Sequence, residues 1–226
     1  MSRRGVNVRT GRFPMVAVVF PDQTAMYDEF KKLKIDVSRV AGLYSNNSNR
    51  VMTHDGGQLS SIAATVRHEA AHQSAFNSGV HSRVNDTPKW ITEGIGQMFE
   101  PPAMTDAKGA SRVADRINRD STRFIAATYQ GRNDVQFSRD IMQLISDDTM
   151  FQDDKKVDSA YAVSWAMMFY LAERQPQAFA EILNHTASRR PFATYSRGER
   201  IRDFERIVGV DTFEFSKRIS WYLQSL

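Results

Sequence analysis

"TVRHEAAHQS", residues 65–74, sets two histidines four apart, with a glutamate directly after the first. On an α-helix, residues four apart lie one above the other on the same face. His68 and His72 so placed can converge on one zinc ion at the usual nitrogen-to-metal distance of about 2 Å. Glu69 lies one step round the helix. There its carboxylate can reach a water on the metal but is poorly placed as a third ligand, which is the geometry behind the H-E-x-x-H pattern. Ala70 and Ala71 are small, strong helix formers, and no proline interrupts the run. Ile62, Val66, Ala70 and Phe76 form an apolar stripe, so His68 and His72 are expected to border a buried face and line a cleft. The plain alternative is a helix carrying two satisfied histidines beside an exposed glutamate.

A catalytic zinc needs three protein ligands and one open position. Glu93, in "PKWITEGIGQMF" (88–99), follows His72 by 21 residues. That interval lets the first helix end at Gly79, the chain loop back, and a second helix pack alongside. The second helix is expected over 87–100, with Thr87 as N-cap, Pro88 at the first helical position and Pro101 and Pro102 closing it. Gly94 and Gly96 each cost a helix interior about 1 kcal/mol relative to alanine, which makes sense where backbone approaches backbone. The competing reading places Glu93, Gln97 and Glu100, spaced i, i+4, i+7, on a solvated face.

Outward from this motif the chain divides into a small α/β lobe, 14–58, and a helical part, 59–226, after an N-terminal tail, 1–13. The expected class is α+β, mostly helical, in a single domain over 14–226. "PMVAVVF" (14–20) reads as a strand and "DQTAMYDEFKKLKI" (22–35) as a helix with Met26, Phe30 and Leu33 on one side. The turn-rich "NNSN" inside 41–55 predicts a β-hairpin, hence a small mixed sheet. Helices are expected over 59–79, 87–100, 110–129, 138–147, 157–174, 176–188, 197–208 and 211–224. Residues 101–120, opening on two prolines, read as a lid beside the cleft or a plain surface connection.

Composition narrows the chemistry. With no cysteine among 226 residues there is neither a disulfide nor a thiolate metal site, so any metal falls to histidine, carboxylate or water. The net charge is +4. The densest arginine stretch, 188–208, interleaves Glu199, Asp203 and Glu205 like a salt-bridged helix face, which speaks against nucleic acid as a partner. The longest apolar run, 161–172, is too short to span a bilayer. The N-terminal apolar run, closed by Pro21, reads as a strand and not as a signal-peptide core. Two locations stay open: cytoplasmic as the chain stands, or extracytoplasmic if an export segment has been removed. Among the other histidines, His54 and His81 read as surface loop residues and His185 as a helix C-terminal residue facing the dipole.

HEAAH followed some twenty residues later by W-I-T-E-G resembles the gluzincin metallopeptidases, and more narrowly the peptidase-MA-like domains of bacterial proteins of unassigned function. The likeness covers roughly 14–185 and is strongest over 62–100. "AGLYSNNSNRVMTHDG" is similar to the hairpin before the zinc helix in such domains, and "YAVSWAMMFYLAE" to their late helix. The resemblance implies a zincin-like fold and a zinc-dependent peptidase of peptide or protein substrates, an endopeptidase in the absence of an aminopeptidase motif. It implies His68, His72 and Glu93 as zinc ligands and Glu69 as general base. It also implies Tyr161 as oxyanion donor, against a reading in which Tyr161 packs with Trp165, Met168 and Phe169. Some gluzincins carry an acid four residues after the third ligand, orienting a ligand histidine. That position is Gln97 here, which is expected to stand behind a ligand histidine, since an amide can still hydrogen-bond an imidazole; it adds no negative charge, so a different acid, Asp86 or Glu100, is the candidate for that. The strand "RVMTHD" would offer an edge to an extended peptide. The rival functions are a catalytically silent binding or scaffolding domain of this fold and a metal-free helical structural protein.

Overall fold

The computed structural model describes residues 4–11, 13–32, 40–105, 110–131 and 133–226. Three short stretches make one sheet: β1 (Val16–Phe20), β2 (Gly42–Ser45) and β3 (Arg50–His54), of which β1 is the richest in β-branched residues. The order is β1-β3-β2. β1 runs parallel to β3, with Val16 opposite Arg50 and Phe20 opposite His54. β2 and β3 are the expected antiparallel hairpin, with Gly42 opposite Thr53 and Ser45 opposite Arg50. Asn49, at φ 55, closes its turn, a conformation asparagine tolerates better than most residues. The sheet is therefore mixed, but the expectation that β3 offers a free edge is corrected. β3 is the central strand, so its hydrogen bonds are spent on both neighbours, and the edges are β1 and β2.

The parallel pair needs a crossover, which includes helix α1 (Gln23–Lys32). Asp22 Oδ1 accepts the Ala25 N–H at 2.8 Å at its start. Met26 and Phe30 are buried with Phe20, Leu43 and Met52 packed against them. Leu33 lies outside the described residues.

The rest is helical: α2 (Leu59–Asn77), α3 (Lys89–Phe99), α4 (Arg119–Thr128), α5 (Val135–Ser146), α6 (Val157–Arg174), α7 (Pro176–Ser188), α8 (Arg197–Val208) and α9 (Thr212–Leu223). The class is α+β, mostly helical. α6 is buried without a break from Ala162 to Ala172, which makes it the axis of the core. α3 lies on it through Gly94, where an added Cβ would come within 2.6 Å of the Ser164 carbonyl oxygen. Among the described residues, no helix is long and apolar enough to cross a membrane.

Three boundaries differ most from expectation, the first being α5, which opens at Val135 and not at 138 because Asp134 caps it, accepting the Phe137 N–H. Pro88 is extended (φ −54, ψ 135) and precedes α3 instead of opening it. The cap comes from elsewhere in the chain, as Asp148 Oδ1 accepts the Lys89 N–H at 2.9 Å. The single helix expected over 110–129 is a 3₁₀ turn, Val113–Arg116, followed by α4. Asn118 enforces the break: its backbone is extended and its side chain accepts the Ser121 N–H, a helix start.

Candidate metal centre

α2 turns toward the sheet and α3 the face that carries its polar residues. His68, Glu69, His72 and Gln73 are buried, whereas Ile62, Val66, Ala70 and Phe76 are only half-buried. This reverses the expected arrangement, in which the apolar stripe was the buried face. The burial is tolerated because the polar groups find partners. Gln73 Nε2 donates to the Asn49 carbonyl at 2.6 Å. Glu69 Oε2 accepts the Tyr44 N–H of β2 at 2.6 Å.

The nitrogens of the two histidines meet a carboxylate from α3. His68 Nε2 lies 3.0 Å from His72 Nε2 and 3.3 Å from Glu93 Oε2, and His72 Nε2 lies 3.4 Å from the same oxygen. Ligand atoms each about 2.0–2.1 Å from an ion at tetrahedral angles stand about 3.3 Å apart, so this triangle fits a metal with little adjustment. His68, His72 and Glu93 form a buried group able to hold a metal ion. The chemistry of the donors agrees. His68 Nδ1 donates to Glu100 Oε1 at 2.8 Å, so the proton that a metal would displace is the one on Nε2, which in the metal-free site faces Glu93, and its loss would turn an Nε2 lone pair toward the triangle. Gly96 makes the space: a Cβ there would lie 2.5 Å from His68 Nε2 and Cε1. Gly96→Ala is expected to push the ring out of the triangle and lower metal occupancy at least tenfold, read by elemental analysis of the purified variant.

The titration behaviour follows from this crowding. Burial pushes His68 down, but the hydrogen bonds to Glu100 and Glu93 outweigh it and carry the imidazole up to about 10. A metal bound there would displace a proton, so binding would weaken as the pH falls. Burial would raise Glu93, yet hydrogen bonds from His68 and His72 hold it far below the usual carboxylate range. Glu69 is raised, chiefly by burial, with His68 and His72 pulling the other way. Tyr161 is raised by burial and then by the Glu93, Glu69 and Glu100 carboxylates.

The triangle borders a cleft of about 540 Å³ lined by Gly42, Thr65, His68, Glu69, Gln97, Glu100 and Tyr161, among others. Tyr161, in the second turn of α6, brings its ring centroid 6.3 Å from that of His68 and also packs on Phe151. The expectation that Gln97 hydrogen-bonds a ligand histidine is corrected: its Oε1 accepts from Asn118 Nδ2 at 2.9 Å and Ser121 Oγ at 3.1 Å instead. The acid on His68 is Glu100, three residues further on, at the C-cap of α3. Asp86 faces Arg200 at 3.4 Å, apart from this cluster.

The remaining histidines divide. His81, expected in a surface loop, is 1 % exposed and packs on Phe76. Burial, helped by His72, pushes its pKa down to about 3. His54 is half-buried at the end of β3. His185 sits in the last turn of α7 as expected, and its Nε2 also pairs with Asp203 Oδ2 at 2.9 Å. Three partners of the site were not singled out in the sequence. The N-cap signal of Asn118 is readable ahead of "RDSTRF", but its contact is not. The Tyr44 N–H carries no residue signature at all, and Arg67 looks like any surface arginine.

A family model described as "Protein of unknown function (DUF1570)" matches residues 62–193. No curated protein and no solved structure matches the chain. The matched segment runs from α2 through α7 and contains His68, Glu69, His72, Glu93, Glu100 and Tyr161, and it covers more than half of the 226 residues; the chain belongs to the DUF1570 family.

Proposed function

We propose that the protein is a zinc-dependent peptidase of the gluzincin type, cleaving within peptide or protein chains. The observation that carries the reading is the convergence of His68 Nε2, His72 Nε2 and Glu93 Oε2, with the Glu69 carboxylate buried one residue away. Two imidazoles and one carboxylate are a donor set that suits zinc and leaves a fourth position open. Zinc held there supplies Lewis acidity, lowering the pKa of a water to about 7 and polarising a carbonyl. Glu69, raised by burial, takes the proton from the attacking water and hands it to the departing amine. Tyr161 keeps its proton at any working pH and can donate it in a hydrogen bond to the oxyanion, worth about 3 kcal/mol by analogy with other such donors. Gly42 of edge strand β2 lines the cleft, so an extended substrate would lie along β2 and not along β3.

A second reading, a zinc-binding domain without turnover, has one observation in its favour: the Glu69 carboxylate is already engaged by the Tyr44 N–H. One experiment separates the two. Protein purified without nickel or chelator is assayed for zinc and for cleavage of a mixed library of unmodified peptides. The expected result is about one zinc per chain and internal cleavage, abolished by phenanthroline and restored by added zinc. Zinc without cleavage would favour the silent domain, and no zinc uptake would end both readings.

A further inference from the structure

Glu100 is gripped on every side. Its Oε1 accepts from His68 Nδ1 at 2.8 Å, and its Oε2 accepts from Asn118 Nδ2 at 2.8 Å. Its backbone carbonyl accepts from Arg67 Nε at 2.8 Å and Nη2 at 2.5 Å. Asn118 is buried and fully committed. Its Oδ1 accepts the Ser121 N–H at 3.1 Å, while its Nδ2 is shared among Glu100 Oε2, Gln97 Oε1 and the Gln97 carbonyl. The two halves of one side chain thus do different work. The oxygen starts α4, and the nitrogen fastens a carboxylate that would otherwise be free to rotate away from the histidine.

We propose that Asn118 is a positioning residue for the metal, acting by holding the Glu100 carboxylate on His68 Nδ1 and so fixing the ring with Nε2 toward His72 and Glu93. The proposal rests on the reading of His68, His72 and Glu93 as a metal site. A hydrogen-bonded partner behind a ligand histidine fixes its tautomer and ring orientation, and losing it typically costs 10–100-fold in metal affinity. Gln97 explains why an amide does the fastening. The amide nitrogen has two hydrogens, so it can donate to Glu100 and to Gln97 together. A charged lysine in its place could not also accept the Ser121 N–H. The link reaches outside the two helices that carry the ligands: the start of α4 becomes part of the metal site although it contributes no ligand.

The test uses cobalt(II), whose visible absorption reports the number and kind of its ligands, titrated against a competing chelator. Four proteins are compared: wild type, Asn118→Ser, Glu100→Ala and the double variant. Serine still caps α4 but is too short to reach Glu100. Asn118→Ser is expected to bind cobalt about tenfold or more weakly, with an altered absorption band and little change in thermal stability. If Asn118 acts through Glu100, the double variant binds no more weakly than Glu100→Ala alone. Wild-type affinity and spectrum in Asn118→Ser, or losses that multiply in the double variant, would overturn the proposal while leaving the metal site standing. A wild-type protein that takes up no cobalt would overturn the site itself, and the proposal with it. Should Asn118→Ser not fold, Asn118→Asp serves: it is isosteric and caps equally well, but it sets an oxygen against Glu100 Oε2, and the same weakening is expected.

Discussion

Glu93→Ala is expected to leave the purified protein with almost no bound zinc, while the wild type carries about one per chain. The carboxylate supplies one of three donor atoms, and it also supplies the negative charge facing two ring nitrogens only 3.0 Å apart. Without it no carboxylate bridges the two Nε2 atoms, since Glu100 meets His68 at Nδ1. The loss should exceed the 10–100-fold that follows from removing an outer partner of a ligand, and elemental analysis reads it directly. The helix should survive, since Glu93 sits on the side of α3 away from its apolar residues Ile91 and Ile95, which are buried. A variant that keeps full zinc would show that the two histidines hold metal without α3, and the three-ligand site would have to be abandoned.

Glu69→Gln separates binding from chemistry. The amide is nearly isosteric, and its oxygen can still accept the Tyr44 N–H that Glu69 accepts now. Zinc content should therefore match the wild type. What disappears is the proton acceptor. General-base contributions run to about 10²–10⁴-fold, so peptide cleavage is expected to fall by at least about 100-fold at saturating substrate. Zinc content and cleavage rate measured on the same preparation decide the matter. An unchanged rate with full zinc removes Glu69 as the base.

How much of this was readable in the chain depends on the range over which each feature is determined. The hairpin, α6, α7 and the spacing of His68 and His72 follow from local pattern, because hydrophobic period and turn residues act over a few positions. The cap of α3 was not readable, since Asp148, nearly sixty residues away, takes a role that "TP" at 87–88 advertises for itself. Glu100 was legible as a candidate acid, but the choice among Gln97, Asp86 and Glu100 was out of reach. Gln97 and Glu100 both lie on the face of α3 that carries Glu93, and only the packing of α2 against α3 decides which carboxyl or amide meets the ring. His81 lies in the loop after α2 as read, but not at the surface, because the return of the chain toward Phe76 encloses it. The buried face of α2 was misjudged for a related reason. Burial follows what the partners can satisfy, and Gln73, Glu69 and the histidines each meet a matching group.

The hydrogen bond from Tyr44 to Glu69 has a consequence for how the chain can change. Its donor belongs to the main chain, so altering the tyrosine side chain leaves the N–H where it is. What moves it is the register of β2 on β3, and in a strand a slip of one residue turns every group to the opposite side. The hairpin turn at 46–49 therefore works as an adjusting screw. Lengthening or shortening it by one residue would change what the buried carboxylate meets, with the motif itself untouched. That screw lies upstream of residue 62, outside the segment by which the family is recognised.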